Sequence, residues 1–194
     1  NFPLAQDTAV FTSTAPNTGT TVTIASNWNI GTIDMSARTS NTMTLATSAN
    51  TPTIYGNWIN GTGTTITGTG RIPFSGRTAQ TITSAGRSFS FGFLIATPGG
   101  SVTLQDALTT TTTTYGVDMT YGTFSSNGYN YTGSWFGSTG TGAKTIDFGS
   151  GSLWTLSQVG TFIISGTTPT VTGTGTMSFT GATAKTFQAG GGNY

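Results

Sequence analysis

The sequence predicts an all-β fold, a β-solenoid with a β-sandwich as its alternative, and three observations carry that expectation. Short stretches alternate apolar and polar residues with a period of two, turn residues punctuate them, and one segment recurs further along the chain. Alternation is plain in Val22-Thr23-Ile24, Met43-Thr44-Leu45, Val102-Thr103-Leu104 and Ile146-Asp147-Phe148. One parity then faces a core and the other faces solvent. The best turn signals are Asn60-Gly61, Asn127-Gly128 and Pro98-Gly99-Gly100. No helical pattern emerges; the helix-friendly residues Gln105–Leu108 are too few for more than a turn.

The recurring segment separates the solenoid from the sandwich. Gly61–Gly86 aligns without a gap on Gly166–Gly191, so that Ile66 meets Val171, Phe74 meets Phe179, and Ile82 meets Phe187. Glycines coincide as well, Gly68 with Gly173 and Gly76 with Gly181. Stacked coils bury a continuous apolar column, and each takes roughly 20–25 residues, so the offset corresponds to about four or five coils. Ile66, Ile72, Phe74, Val171, Met177 and Phe179 are expected to point inward at equivalent places. Residues 1–20 read as an N-terminal extension or cap, and residues 21–194 as the repeat region. Asn1 in place of Met reads as a processed or trimmed start. Asn193-Tyr194, after a glycine run, reads as the opening of another strand, with no polar cap in view.

Composition fits pleated strands. Thr alone is roughly a quarter of the chain, far above ordinary usage, and charged residues make up only 6%. β-Branched side chains suit strands, and Thr faces on neighbouring strands support one another. A net charge of +1 favours neither nucleic acid nor an anionic membrane as a partner. No apolar run reaches the length that spans a bilayer.

Catalytic chemistry finds few residues to work with. There is no His, Cys or Glu, which excludes Ser-His-Asp and Cys-His nucleophiles and zinc sites built on His or Cys. The five acids, Asp7, Asp34, Asp106, Asp118 and Asp147, are scattered, whereas glycosidases need two carboxylates flanking one bond. Their expected role is in turns and ladders. Gly137–Thr145 approaches a phosphate-binding loop, but Lys144 is one residue too far from Gly142 and no helix follows. The sequence therefore predicts no enzyme, no metal and no cofactor.

Two groups remain as candidate ligand or partner contacts. Tyr129, Tyr131, Trp135 and Phe136 form an aromatic run that reads as a surface cluster able to grip a sugar or a protein. Arg71, Arg77 and Arg87 fall in one stretch with no acid close in sequence, and could form an anion-binding or subunit-contact patch. Their alternative role is to keep strand edges charged and unpaired.

The opening Pro3–Phe11, the segment Ile30–Arg38 and the run Gly56–Gly86 resemble Thr/Gly-rich repeat proteins encoded in the structural gene regions of tailed bacteriophages and prophages. Pro98–Leu104 and Phe179–Gly192 fit the same pattern. The resemblance implies a virion-associated fibre, appendage or decoration protein, at a virion surface or outside the cell, with no catalytic residues to carry over. By analogy with phage fibres it implies a homo-oligomer, a trimer for preference, among other structural proteins. Bacterial surface adhesins share the composition and remain an alternative, as do a glycan-binding module and a glycan-processing tailspike.

Overall fold

Residues 4–157 and 162–188 are described by a computed structural model of the chain. The alternation seen in the sequence becomes 20 strands, with no helix among the described residues. Every strand pairs in parallel with the strand one coil away, so the fold is a β-solenoid of about eight turns. The sandwich alternative falls, since a sandwich is built from antiparallel sheets.

Three columns of strands make a three-sided stack. The first face begins with Thr8–Val10, Thr32–Asp34 and Trp58–Ile59. The second begins with Thr20–Thr23, Met43–Ala46 and Thr64–Thr67. Asn29–Ile30, Thr53–Ile54 and Arg71–Phe74 begin the third. Residues 1–20, expected as an extension or cap, thus contain the opening strand of the first face. The long strands Gly92–Leu104 and Val117–Ser125 each serve the third face and then bend onto the first. Lys144–Leu156 and Thr170–Phe179 bend instead from the first face onto the second.

Inward-pointing side chains stack coil upon coil. On the third face Ile72, Phe93, Val117, Phe136, Phe162 and Phe187 follow one another in register. Phe136 and Phe162 stack with ring centroids 5.8 Å apart, and Phe162 and Phe187 with centroids 5.3 Å apart. Trp58, Phe89, Phe91 and Phe93 pack edge to face in the middle coils, the arrangement that ring quadrupoles favour. Polar side chains are buried as well, Gln80 and Arg38 among them. Gln80 donates to the carbonyls of Ile54 and Gly56 and accepts from Gly76 N–H. Arg38 donates to the carbonyls of Thr12, Pro16 and Thr42, and so ties the loop before Thr20 to the next coil.

The recurring segment is not a whole number of coils. Ile66 lies on the second face, in register with Leu45 and Phe89, whereas Val171 lies on the first, in register with Ile146. Phe179, paired with Leu156, belongs to the second face, while its sequence partner Phe74 is on the third. The inward parity is as expected; the equivalence of place is corrected by one face. All three faces share the same alternating pattern, so an alignment can match strand to strand while slipping a third of a coil. Val171 and Phe179 are also 36% and 37% exposed, whereas Ile66 is 4% exposed. The expected strand at Asn193-Tyr194, and the last residues of the second copy, lie outside the described residues.

Outward residues of the second face form a row of hydroxyls. Thr21, Thr44 and Thr65 are successive partners. The row continues one residue before the Ile66–Phe89 pairing, through Ser88, Thr109 and Thr132. It ends with Thr155 and Ser178.

Candidate functional site

The aromatic run does not form a surface cluster. Tyr129 sits in the turn after Asn127-Gly128 and is 40% exposed. Tyr131 opens the strand Tyr131–Gly133 with its ring inward, edge to face with Trp154 at 5.7 Å, and it is fully buried. Phe136, also fully buried, opens the next strand, Phe136–Ser138, after a bend that resets the alternation. Trp135 lies half-buried at that bend and donates its Nε1–H to the carbonyl of Thr114 at 3.1 Å. Closeness in sequence does not place these aromatics on one surface, because two corners interrupt the run and parity is not preserved across them.

Inside the coil, the Tyr131 hydroxyl acts as a structural hub. It donates to the Trp135 carbonyl at 3.0 Å, accepts from Val117 N–H at 3.2 Å, and lies 3.3 Å from Thr110 Oγ1. Burial pushes its pKa up to about 12, against the opposing effect of the bonds to Thr110 and Val117.

The three arginines do not form one patch either. Arg71 enters the third face, Arg77 lies at the corner from third to first, and Arg87 at the corner from first to second. A stretch of this length runs around most of a coil, so neighbours in sequence end at different corners. Arg77 and Arg87 are exposed. Arg71 is engaged: its guanidinium forms an ion pair with Asp118 and lies 5.3 Å from the centre of the Tyr115 ring. Asp118 sits two coils beyond, with Gly92 and Leu94 in the strand between. It also accepts from Met119 N–H at 2.9 Å and from Thr139 Oγ1 at 3.2 Å. Lys144 joins this group, donating from Nζ to the Gly140 carbonyl. Desolvation lowers the Lys144 pKa, and the Asp118 charge opposes that shift. Nothing in the sequence near Arg71 pointed to Asp118; only the coil repeat brings them together.

The remaining acids hold turns and ladders, as expected. Asp106 accepts from the backbone N–H groups of Ser84 and Ala85, Asp34 from Ser36, and Asp7 from Leu4. Asp147 accepts from Ser125 Oγ at 2.6 Å, Gly149 N–H at 3.0 Å and Thr172 Oγ1 at 3.0 Å. The Ser125 bond is the main cause holding its carboxyl below the usual range, and burial works against it. Among the described residues no three His, Cys, Asp or Glu side chains gather where they could hold a metal ion. Among the same residues no helix is long and apolar enough to cross a membrane.

The surfaces with unmet bonding capacity are the two ends of the stack. At one end Thr8–Val10 pairs only with Thr32–Asp34 among the described residues, and an apolar cavity of about 130 Å³ opens between Ala9, Phe11, Val22, Ile24 and Trp28. At the other end Thr170–Phe179 pairs only with Lys144–Leu156 among the described residues. Val171, Phe179 and Phe187 are exposed there, although they occupy positions that are buried in the inner coils. Each end therefore presents unpaired strand edges around an apolar centre, a surface suited to receiving another coil. No family model matches this chain, and neither curated proteins nor solved structures contain a match to it.

Proposed function

We propose that the chain is a non-catalytic structural element of an extracellular or virion-associated assembly, of the fibre, appendage or decoration kind. The observation that supports this reading most is the pair of stack ends, where among the described residues parallel strand edges surround an apolar centre, the cavity beside Ala9 and Phe11 at one end and exposed Val171, Phe179 and Phe187 at the other. A coil interior left in water loses the apolar burial that holds the stack together. In this reading further coils or a neighbouring subunit cover it by adding a strand to each edge. Low charge leaves little electrostatic repulsion to oppose such contacts. A homo-oligomer, with a trimer as the preferred symmetry, buries those surfaces in a closed form, whereas head-to-tail stacking extends them into a filament.

The ionisable groups support a structural role as well. Each described carboxylate is engaged in a turn, a ladder or an ion pair, and none stands free beside another in a cleft. Light scattering on the full-length protein tests the reading. Its expected result is a mass that is a multiple of the chain, and a stable monomer at all concentrations would defeat it.

A further inference from the structure

The dipeptide Asn-Gly occurs twice in the chain, as Asn60-Gly61 and Asn127-Gly128. A glycine after asparagine leaves the next backbone nitrogen without a side chain to shield it, so the amide carbon and that nitrogen react unless the fold holds them apart. The two copies are held very differently. Asn60 follows the strand Trp58–Ile59 and is 2% exposed. Its Oδ1 accepts from Trp58 Nε1 at 2.8 Å, its Nδ2 donates to the Ser84 carbonyl at 3.1 Å, and its backbone N–H donates to the Thr83 carbonyl at 2.9 Å. Asn127 is exposed at the corner after the strand Val117–Ser125. With φ of +53° at Asn127 and +80° at Gly128, and a bond of 2.8 Å from Tyr129 N–H to the Ser126 carbonyl, the pair forms the centre of a tight turn. The Asn127 side chain makes one contact, from Nδ2 to the Leu104 carbonyl at 3.5 Å, beyond the usual range of an N–H···O bond. Among the described residues neither its Oδ1 nor the Gly128 N–H has a partner. Gly149 lies over that nitrogen, and a Cβ there would come within 2.1 Å of it, so only glycine leaves it uncovered by a side chain.

We propose that Asn127 is a site of spontaneous deamidation in the folded protein, while Asn60 is protected. Hydroxide removes the Gly128 N–H proton, and the nitrogen attacks Asn127 Cγ. The N–Cγ bond forms, the Cγ–Nδ2 bond breaks, and the amide nitrogen leaves as ammonia. Water then opens the resulting succinimide at either carbonyl, which yields aspartate or isoaspartate. Water is consumed and ammonia released, with no change of oxidation state. Ring closure needs Asn127 to turn its Cγ towards Gly128 N by rotation about χ1 and ψ. At Asn127 that rotation opposes the turn bond and the long Leu104 contact; at Asn60 it opposes two good side-chain bonds and burial. The product also changes the corner. Ser125 Oγ accepts from Asn127 N–H at 3.2 Å and donates to Asp147 at 2.6 Å, so a new carboxylate enters the hydrogen-bonded corner that Asp147 already occupies. Isoaspartate adds a methylene to the backbone of the turn as well.

The test is ageing of the full chain at mildly alkaline pH, folded in buffer and unfolded in guanidinium chloride, with digestion at acid pH and mass spectrometry of the two Asn-Gly peptides. Circular dichroism confirms that the sample in buffer is folded. There the Asn127 peptide is expected to exchange NH for O at least about tenfold faster than the Asn60 peptide, because two side-chain hydrogen bonds oppose the reaction at Asn60. In guanidinium chloride the two peptides are expected to convert at similar rates. Methyl labelling by an isoaspartyl methyltransferase should follow the same time course. Asn127→Gly suits the positive φ and has no amide to cyclise, so it is expected to lose that labelling. An Asn127 peptide that stays unchanged in the folded protein while it converts in the unfolded chain would overturn the proposal. So would equal rates at the two sites in the folded protein, or undiminished labelling of Asn127→Gly.

Discussion

Tyr131→Phe removes a hydroxyl on which the Val117 N–H and the Trp135 carbonyl depend, and leaves both buried beside an apolar ring. The expected cost is about 1–3 kcal/mol, read as a lower midpoint in urea. The same hydroxyl gives an alkaline signature. Its folded pKa of about 12 lies above the ordinary tyrosine value, so its contribution to stability is complete below about pH 10. That contribution is lost as pH rises towards 12, and Tyr131→Phe flattens this limb of the stability curve. Asp147 behaves oppositely. Its folded pKa is depressed, so its contribution is present above about pH 3.9 and fades as pH falls through the folded value. Asp147→Asn is expected to cost about 1 kcal/mol at neutral pH and to lose less stability than the parent on acidification, measured by thermal melts across pH. At this scale the sequence was informative about parity within strands, as Ile66 and Ile72 attest. It was silent about corners, which is why Tyr131 and Phe136 were expected outside.

Bends within long strands are the devices that turn alternation into coils. Pro98-Gly99-Gly100 was expected to be a turn between strands. It lies instead inside the strand Gly92–Leu104, where the register shifts as the chain passes from the third face to the first. Gly122 does the same one coil on, with φ of +85°. A methyl group there would overlap Thr97 Oγ1 and the Thr97 carbonyl oxygen, so Gly122→Ala is expected to cost about 3 kcal/mol or more. Gly99 has φ of +74° but open space around it. Gly99→Ala then carries only the left-handed penalty of about 1 kcal/mol. Comparing the two by denaturant titration separates steric closeness between coils from backbone strain. The glycine signals were legible in the sequence. Their use was not, because a hairpin turn and a solenoid corner call for the same residues.

Across the whole molecule, each coil pairs its strands only with those of its neighbours, and the Arg71–Asp118 ion pair reaches one coil further, so stability is close to a sum of coil and interface contributions. Amide exchange is expected to be slowest in the inner strands Gly92–Leu104 and Val117–Ser125 and fastest in Thr8–Val10 and Phe187–Gln188. Uniform exchange along the stack would contradict that picture. The solenoid was readable from alternation, turn spacing and an internal repeat. The face assignment was not, because coils vary in length: one runs from Val117 to Phe136 and the next from Phe136 to Phe162. The Arg71–Asp118 pair was equally hidden, since it joins residues two coils apart.

The central claim, that this stack serves as a structural element whose ends are covered by like strands, is tested most directly by imaging the native assembly at a resolution that traces the backbone. The account predicts that the edges at Thr8–Val10 and Thr170–Phe179 each continue into a further parallel strand, from the same chain or from a neighbour. An assembly in which both edges face solvent, with Val171 and Phe179 as exposed as they are in the isolated stack, would contradict it.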